Sequence, residues 1–521
     1  MLQFIKANLK NLFLLAALII TIPALIGLIH SGFPVTDDGG WMTIRFSAFF
    51  QALRSGEFPV RFLMRLNNGY GYPVSDFLYP LFMYFAVPIH LIGINFVNTI
   101  KILMILCVLT SSLFTFLWLR KLFDNFSSLV GAIFYTFFPY HLFDIYQRGS
   151  VGEVLSLSIL PFVLWQIERK SLFWSAVGLA FLILAHNTLA VLFMFLILPY
   201  ALLDIYIDKN HKKVFSFYSM ITLLGFGLSS FFWLPALFDL QYTVFAKTQI
   251  SNVNNYFASF SLVGIVTAVV LISIIALMLL GKIQIRKHRL TVIMLVISIA
   301  SIYLASPFSV FLWKFLPSSF VQFPFRFLSL TIPVVSFLAA CMVSIFSGKT
   351  KIVLSLIVIV LILISAFTYL FPKGYQNFAD TYYSTNQDTT TVKNEYMPKW
   401  VKQIPPVLIA AKVQNLSGRE TINLLQSTPS KTVFSVFLNA PRQIQVNTIY
   451  FPGWYAYING KQTEILYNNP GGLIDLSLDK GINNVQVSFK ETPIRLFSDL
   501  ISVMSIIGLC VFSLTRKKIK L

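Results

Sequence analysis

The chain is 521 residues long, 56% of them hydrophobic and only 12% charged, with 52 phenylalanines and a mean hydropathy of +0.74. A soluble domain carries about 25% charged residues, and none could hide this much apolar surface, so lipid is the solvent for most of the chain. The formal charge is +20, but Lys and Arg sit in short clusters between apolar runs, the bias of a polytopic membrane protein and not the basic face of a nucleic-acid binder.

Runs long enough to span begin near residues 11, 97, 128, 150, 172, 188, 214, 260, 290, 325, 350 and 496, which predicts about twelve transmembrane helices. The first run follows Lys6 and Lys10 as a signal peptide would. It has no small-x-small site before His30, so it reads as a retained helix. The linkers Arg120–Lys121, Glu168–Lys170, Lys209–Lys213, Lys282–Arg289 and Lys349–Lys351, with the tail Arg516–Lys520, are basic, and alternate linkers are not. They share one side of the cell membrane if both termini are cytoplasmic, which leaves residues 30–76, 147–153, 186–187, 236–258, 307–324 and 372–495 outside. Phe77–Ile92 is apolar but short and carries Pro80 and Pro88. A span there would break the alternation, so it is placed as a juxtamembrane or re-entrant element.

Three regions follow: a multi-helix transmembrane domain over 1–371 with its outer loop 30–76, an extracytoplasmic β-rich domain over 372–495, and a final transmembrane helix with a basic tail over 496–521. The second region has period-two stretches such as Thr432–Phe437 and Asn484–Phe489, and Asn459–Gly460 is a hairpin turn between Trp454–Tyr457 and Thr463–Leu466. With a further turn at Lys480–Gly481, it reads as a small antiparallel β-sandwich. Cys107, Cys341 and Cys510 all lie in apolar runs without a nearby Cys or His at ligand spacing, so neither a disulfide nor a metal site is expected from them.

The candidate chemistry gathers on the outer side. Asp37 and Asp38 directly follow the first helix, where a lipid headgroup would lie. One carboxylate there could deprotonate an acceptor hydroxyl or bind a divalent cation, the one cofactor the loop admits. Arg45, Arg54, Glu57, Arg61, Arg65 and Asp76 share the loop, and a solvated, salt-bridged loop is the bland alternative. Asp144, Arg148 and Glu153 border apolar helices on the same face, where charges are either functional or paired as helix pins. His186 lies at a helix apex, and Arg326 enters a helix from outside, to snorkel or to hold a phosphate. There is no P-loop, dinucleotide fingerprint, G-x-S-x-G or H-E-x-x-H, which argues against an ATP-driven pump and the common soluble enzymes.

Gly69–Tyr70–Gly71–Tyr72–Pro73 followed by Phe77–Leu78–Tyr79–Pro80–Leu81, then Asp144–Gly149 with Glu153, His186–Asn187, Phe323–Phe327 and Tyr450–Trp454 with Ile458–Lys461, resemble in order the blocks of large bacterial membrane proteins labelled 6-pyruvoyl-tetrahydropterin synthase-related, akin to YfhO-like proteins. The resemblance implies the GT-C glycosyltransferase superfamily, whose members transfer a sugar from a polyprenyl-phosphate lipid outside the membrane with a catalytic acid in the first outer loop. By position that acid is Asp38, with Asp37 as rival; Trp41 and Met42 stand where a His is expected to follow it. Asp144, Arg148, Glu153, His186 and Arg326 are the implied substrate-binding set. The label names a pterin enzyme, but no His-rich zinc site is present to support that activity.

Two functions are therefore weighed: a lipid-linked sugar transferase acting on an envelope glycan or lipid, and a non-enzymatic transporter, flippase or envelope assembly factor. A transporter would bury ionisable residues at mid-membrane on broken helices, whereas these apolar runs are nearly free of charge, which favours the transferase.

Overall fold

A computed structural model describes residues 12–245, 252–285, 288–315, 321–388, 394–416 and 420–516. Each of the twelve apolar runs coincides with a helix or with two helices meeting at a short break. Six helices are long and apolar enough to cross a membrane: Phe96–Leu119, Val151–Glu168, Asn187–Ile207, Pro324–Ser344, Gly348–Tyr369 and Pro493–Leu514. Four pairs, Leu12–Ile19 with Ile22–Ile29, Asn125–Thr136 with Pro139–Arg148, His211–Leu228 with Ser230–Tyr242, and Val253–Val263 with Ile265–Leu279, are bent by 41°, 42°, 67° and 69°. Counting each pair as one span gives up to ten among the described residues. The other two runs form helices of 14 and 17 residues, Leu172–Ala185 and Arg289–Ala305. At about 1.5 Å per residue they fall short of a hydrocarbon core about 30 Å thick, so length alone supports fewer spans than the twelve expected.

Helix ends are set locally. Asn95 accepts from the backbone N–H of Asn98 at 2.8 Å, and Asp124 accepts from those of Phe126 and Ser127 at 3.1 and 3.2 Å. Pro139 cannot continue the helix before it, and the chain turns there. The helix Leu328–Ser344 is buried along nearly its whole length and packs against Asn125–Thr136 and Arg289–Ala305, at the centre of the bundle. The helix Gly348–Ala366 turns Ile352, Leu356, Val360 and Ile364 outward, which suits a lipid-facing position.

The segment 30–76 is not a solvated loop. Residues Gly39–Arg54 form a helix with 11 of its 16 residues buried. A short strand β1 (Phe33–Pro34) pairs antiparallel with β2 (Tyr375–Gln376), joining the start of this segment to the start of the C-terminal region. Arg45, Arg61 and Asp76 are buried. Leu81–Leu91, with Pro88 inside it, is an 11-residue helix, about half the length needed to span.

The C-terminal region forms two antiparallel sheets. One has strand order β4-β5-β10-β7-β8, over Ile422–Thr428, Lys431–Leu438, Gly481–Phe489, Trp454–Ile458 and Lys461–Thr463; the other has order β3-β6-β9, over Val413–Asn415, Arg442–Ile449 and Leu473–Leu478. Ile458 faces Lys461 in register, so Asn459–Gly460 is a two-residue hairpin loop, and both residues take positive φ, +50° and +83°. Lys480–Gly481 differs: β9 and β10 lie in different sheets, so this turn crosses between sheets and makes no hairpin. Phe434, Val436, Ile444, Val446, Leu476, Val485 and Val487 supply the apolar interior.

Candidate functional site

The site begins where three chain segments meet. The backbone N–H groups of Asp37 and Asp38 donate to the carbonyls of Gln147 and Arg148 at 2.9 and 2.7 Å, clamping the acidic pair to the end of the π-turn Asp144–Arg148. Gly149 makes this approach possible: its φ is +64°, and a Cβ there would lie 2.4 Å from Thr36 Oγ1 and 2.8 Å from the Gly39 nitrogen. Asp38 then precedes the helix Gly39–Arg54, where the field of the helix N-terminus favours a carboxylate, and its side chain makes no capping hydrogen bond.

Behind Asp38 lies a buried charge network. Arg148 Nη2 approaches Asp38 Oδ2 at 3.5 Å, and Arg148 Nη1 donates to Asp144 Oδ1 at 3.2 Å and to Glu153. Glu153 Oε1 also accepts from Arg326 Nε at 2.9 Å, and Glu153 Oε2 accepts from Tyr140 Oη at 3.0 Å. His186 Nε2 lies 3.8 Å from Glu153 Oε1. Phe323 and Phe325 present their faces to the arginines: Arg148 lies 5.5 and 5.2 Å from the two ring centres, and Arg326 lies 4.9 Å from that of Phe323. Arg326 Nη1 is held by the Val321 carbonyl and Gln322 Oε1 at 2.9 and 2.8 Å, while Nη2 makes no hydrogen bond among the described residues.

Exposure sorts the members. Glu153 and Asp144 side chains are fully enclosed and those of Arg148 and Arg326 nearly so, but 40% of the Asp38 side chain is exposed. Asp37 is exposed and forms no ion pair among the described residues; partial burial and the neighbouring Asp38 raise its carboxyl above the ordinary range, and Arg148 pulls it down. The structure thus brings Asp38, Asp144, Arg148, Glu153, His186 and Arg326 into one cluster, and Asp37 is only its neighbour. Among the described residues no three His, Cys, Asp or Glu side chains gather as a metal-binding group.

Two members escaped the sequence reading. Tyr79 stacks on His186 with ring centres 4.4 Å apart. Glu395, from the far end of the chain, is half-buried beside the cluster. Burial pushes its carboxyl above the ordinary range, Arg45 and Arg326 pull it down, and Asp38 pushes it up. No local pattern marks either residue, though Tyr79 lies within one of the blocks that carry the family resemblance.

An apolar cavity adjoins the cluster. Its walls include Leu179, Ile183, Ala190, Val191, Met194, Phe226, Phe232, Trp233 and Leu237, with Phe77, Asn187 and Tyr396 at one edge. Those three neighbour Tyr79, His186 and Glu395 in the chain, so the cavity begins where the polar cluster ends. Val191, Phe226 and Leu237 are exposed on its outer side. Asp37 and Asp38 do not line it.

A second charge network holds the C-terminal helix. Arg495 donates to Asp239 Oδ2 through Nε and Nη2 at 3.0 and 2.8 Å and to Asp76 Oδ2 at 3.3 Å. Arg61 lies 3.7 Å from Asp76 and bonds Glu491 and Asp499 at 3.2 and 3.0 Å. Asp76, Asp239 and Arg495 are 0%, 1% and 0% exposed, so the centre of this network is sealed, while Glu491 and Asp499 at its rim are partly exposed.

Residues 77–371 match the profile of a membrane-protein family described as the 6-pyruvoyl-tetrahydropterin synthase related domain, over more than half of the chain. An uncharacterized protein of Lactococcus lactis subsp. cremoris (strain MG1363) is 24% identical over 268 residues, 49% of this chain and 42% of that protein, so the chain matches less than half the length of this relative. Among solved structures, the cryo-EM structure of the arabinofuranosyltransferase AftD from Mycobacteria aligns with 70% of this chain and 27% of its own, at 14% identity and a TM-score of 0.45.

Proposed function

The chain belongs to the 6-pyruvoyl-tetrahydropterin synthase-related family of membrane proteins, and we propose that it is a membrane glycosyltransferase moving a sugar from a polyprenyl-phosphate lipid to an extracytoplasmic acceptor. The observation that carries this reading is the half-exposed Asp38 carboxylate, set at a helix start against buried Arg148, with an apolar cavity lined by Asn187, the neighbour of His186, within the same helical region. A base, a phosphate-binding cation and room for a lipid tail are the three parts such a transfer needs.

In the step we propose, an acceptor oxygen attacks the anomeric carbon of the donor sugar. The new glycosidic bond forms as the bond from that carbon to the phosphate oxygen breaks, and polyprenyl phosphate leaves with the electron pair. Asp38 takes the acceptor proton. Arg148 and Arg326 meet the charge that grows on the phosphate, with Arg326 Nη2 the donor left for it. Glu153 touches no substrate in this scheme. Enclosed between the two guanidinium groups, it positions them, and Asp144 and His186 complete its shell. Asp37 is the rival base, disfavoured because Asp38 is the one of the two that approaches Arg148 within ion-pair distance.

The alternative, a transporter or flippase, is favoured by one observation: four helix pairs are bent by 41° to 69°, and buried Arg148 and Asp239 lie near the ends of two of them. The separating experiment supplies purified protein in lipid nanodiscs with radiolabelled polyprenyl-phosphate sugars and a mixture of saccharide acceptors. Label moving into acceptor supports the transferase. No transfer, with lipid translocation in proteoliposomes, would move the assignment to transport.

A further inference from the structure

The pair His211–Leu228 with Ser230–Tyr242 bends by 67°, and the cause lies on the neighbouring helix. In a continuous helix the Phe231 N–H would donate to the Gly227 carbonyl. Here the Ser502 hydroxyl stands between them: Phe231 N donates to Ser502 Oγ at 2.9 Å, and Ser502 Oγ donates to the Gly227 carbonyl at 3.2 Å. Ser230 Oγ lies 3.0 Å from Ser502 Oγ and donates to the Ser498 carbonyl at 2.6 Å, and all three serines are buried. The other groups freed at the bend also find partners. Trp233 Nε1 donates to the Phe226 carbonyl at 2.8 Å. Pro235 has no N–H for the Phe231 carbonyl, which accepts from Arg61 Nη1 at 2.6 Å instead. Gly227 lets the two helices close up: a Cβ there would lie 2.2 Å from Ser505 Oγ.

Both halves of the bent pair line the apolar cavity, Phe226 before the break and Phe232, Trp233, Ala236, Leu237 and Leu240 after it, so the angle between them sets its shape. We propose that Ser502 is a wedge that fixes this bend and so holds the cavity in the form that admits one isoprenoid chain from the bilayer. The proposal rests on the lipid-donor reading above and adds a control to it. In hydrocarbon no water replaces a lost hydroxyl, so without Ser502 the Phe231 N–H and the Gly227 carbonyl satisfy each other directly and the span straightens. The wedge rides on the helix Pro493–Arg516, which residues 490–492 alone separate from β10. Movement of the C-terminal region is thereby passed to the lipid cavity.

The test uses the full chain in nanodiscs with Ser502→Ala and Ser502→Thr, the second keeping the hydroxyl. Spin labels on Phe215→Cys and Phe238→Cys, exposed positions on the two halves, report the bend in a Cys510→Ser background, since Cys107 and Cys341 are buried. With arms of about 21 and 14 Å from the break, straightening lengthens the label separation by about 5 Å. Ser502→Ala should show that lengthening. It should also bind farnesol and farnesyl phosphate about tenfold more weakly, by calorimetry against empty nanodiscs, the equivalent of roughly two buried methylene groups. Ser502→Thr should match the native protein in both respects. An unchanged separation in Ser502→Ala overturns the wedge. Lengthening with unchanged farnesol binding overturns its link to the cavity, as does a native protein that binds neither probe. Lengthening with Ser502-dependent farnesol binding, to which the phosphate adds nothing, sustains the wedge and sinks the phosphate-linked donor.

Discussion

The two buried charge networks invite comparison. Both are arginines bridging carboxylates from distant parts of the chain: Arg326 meets Glu153 across 173 positions, and Arg495 meets Asp239 across 256. In the Arg495 network Arg495, Asp76 and Asp239 are all sealed. In the Arg148 network one carboxylate, Asp38, remains 40% exposed. The same chemistry makes a staple where it is closed and a candidate site where one wall is left open.

Substitutions sharpen this contrast. The largest expected effect is Arg495→Ala, which leaves Asp76 and Asp239 buried without their shared cation; it should cost about 3–5 kcal/mol and collapse the yield of folded protein on size-exclusion chromatography. A variant that purifies normally would break the claim that this network is a staple. Glu153→Gln comes next. It removes the charge between Arg148 and Arg326 but keeps the shape, so a loss of about 1–3 kcal/mol in thermal stability is expected, together with weaker farnesyl phosphate binding. Asp37→Asn should do little, because the side chain is outside the network; a drop in transfer matching that of Asp38→Asn would reassign the base. The last contrast lies outside both networks, at Glu57, whose carboxyl is pushed by burial from 4.5 up to about 8. The folded state binds this proton more tightly than the unfolded one, so the contribution of Glu57 to stability is fully present below pH 4.5 and is lost as pH rises to about 8. Glu57→Gln should flatten that part of the profile of melting temperature against pH.

The helices were legible because lipid demands long apolar runs, and no tertiary knowledge is needed to see Phe96–Leu119 or Gly348–Ala366. Asn459–Gly460 was legible for the same local reason, since positive φ at two adjacent positions selects those residues. The helix Gly39–Arg54 was not. It opens on two glycines, mixes Arg, Ser, Thr and Phe, and owes its burial to contacts distant in sequence, such as Phe49 against Tyr84 and the Ser47 hydroxyl donating to the Tyr383 carbonyl at 2.6 Å. At Lys480–Gly481 the turn itself was visible, but the sheet each flanking strand would join was not. In the candidate site, charges bordering apolar helices stood out singly. That Glu153 lies between Arg148 and Arg326, and that Arg495 pairs with Asp76 and Asp239, are long-range facts without periodicity or motif.

The central claim is that Asp38 is the base of a lipid-linked sugar transfer. Its most direct test measures transfer from a radiolabelled polyprenyl-phosphate sugar by the native protein and by Asp38→Asn, each in nanodiscs and each checked for an unchanged melting temperature. The account predicts a loss of about a hundredfold to ten-thousandfold with the fold intact. Full transfer by Asp38→Asn would contradict it.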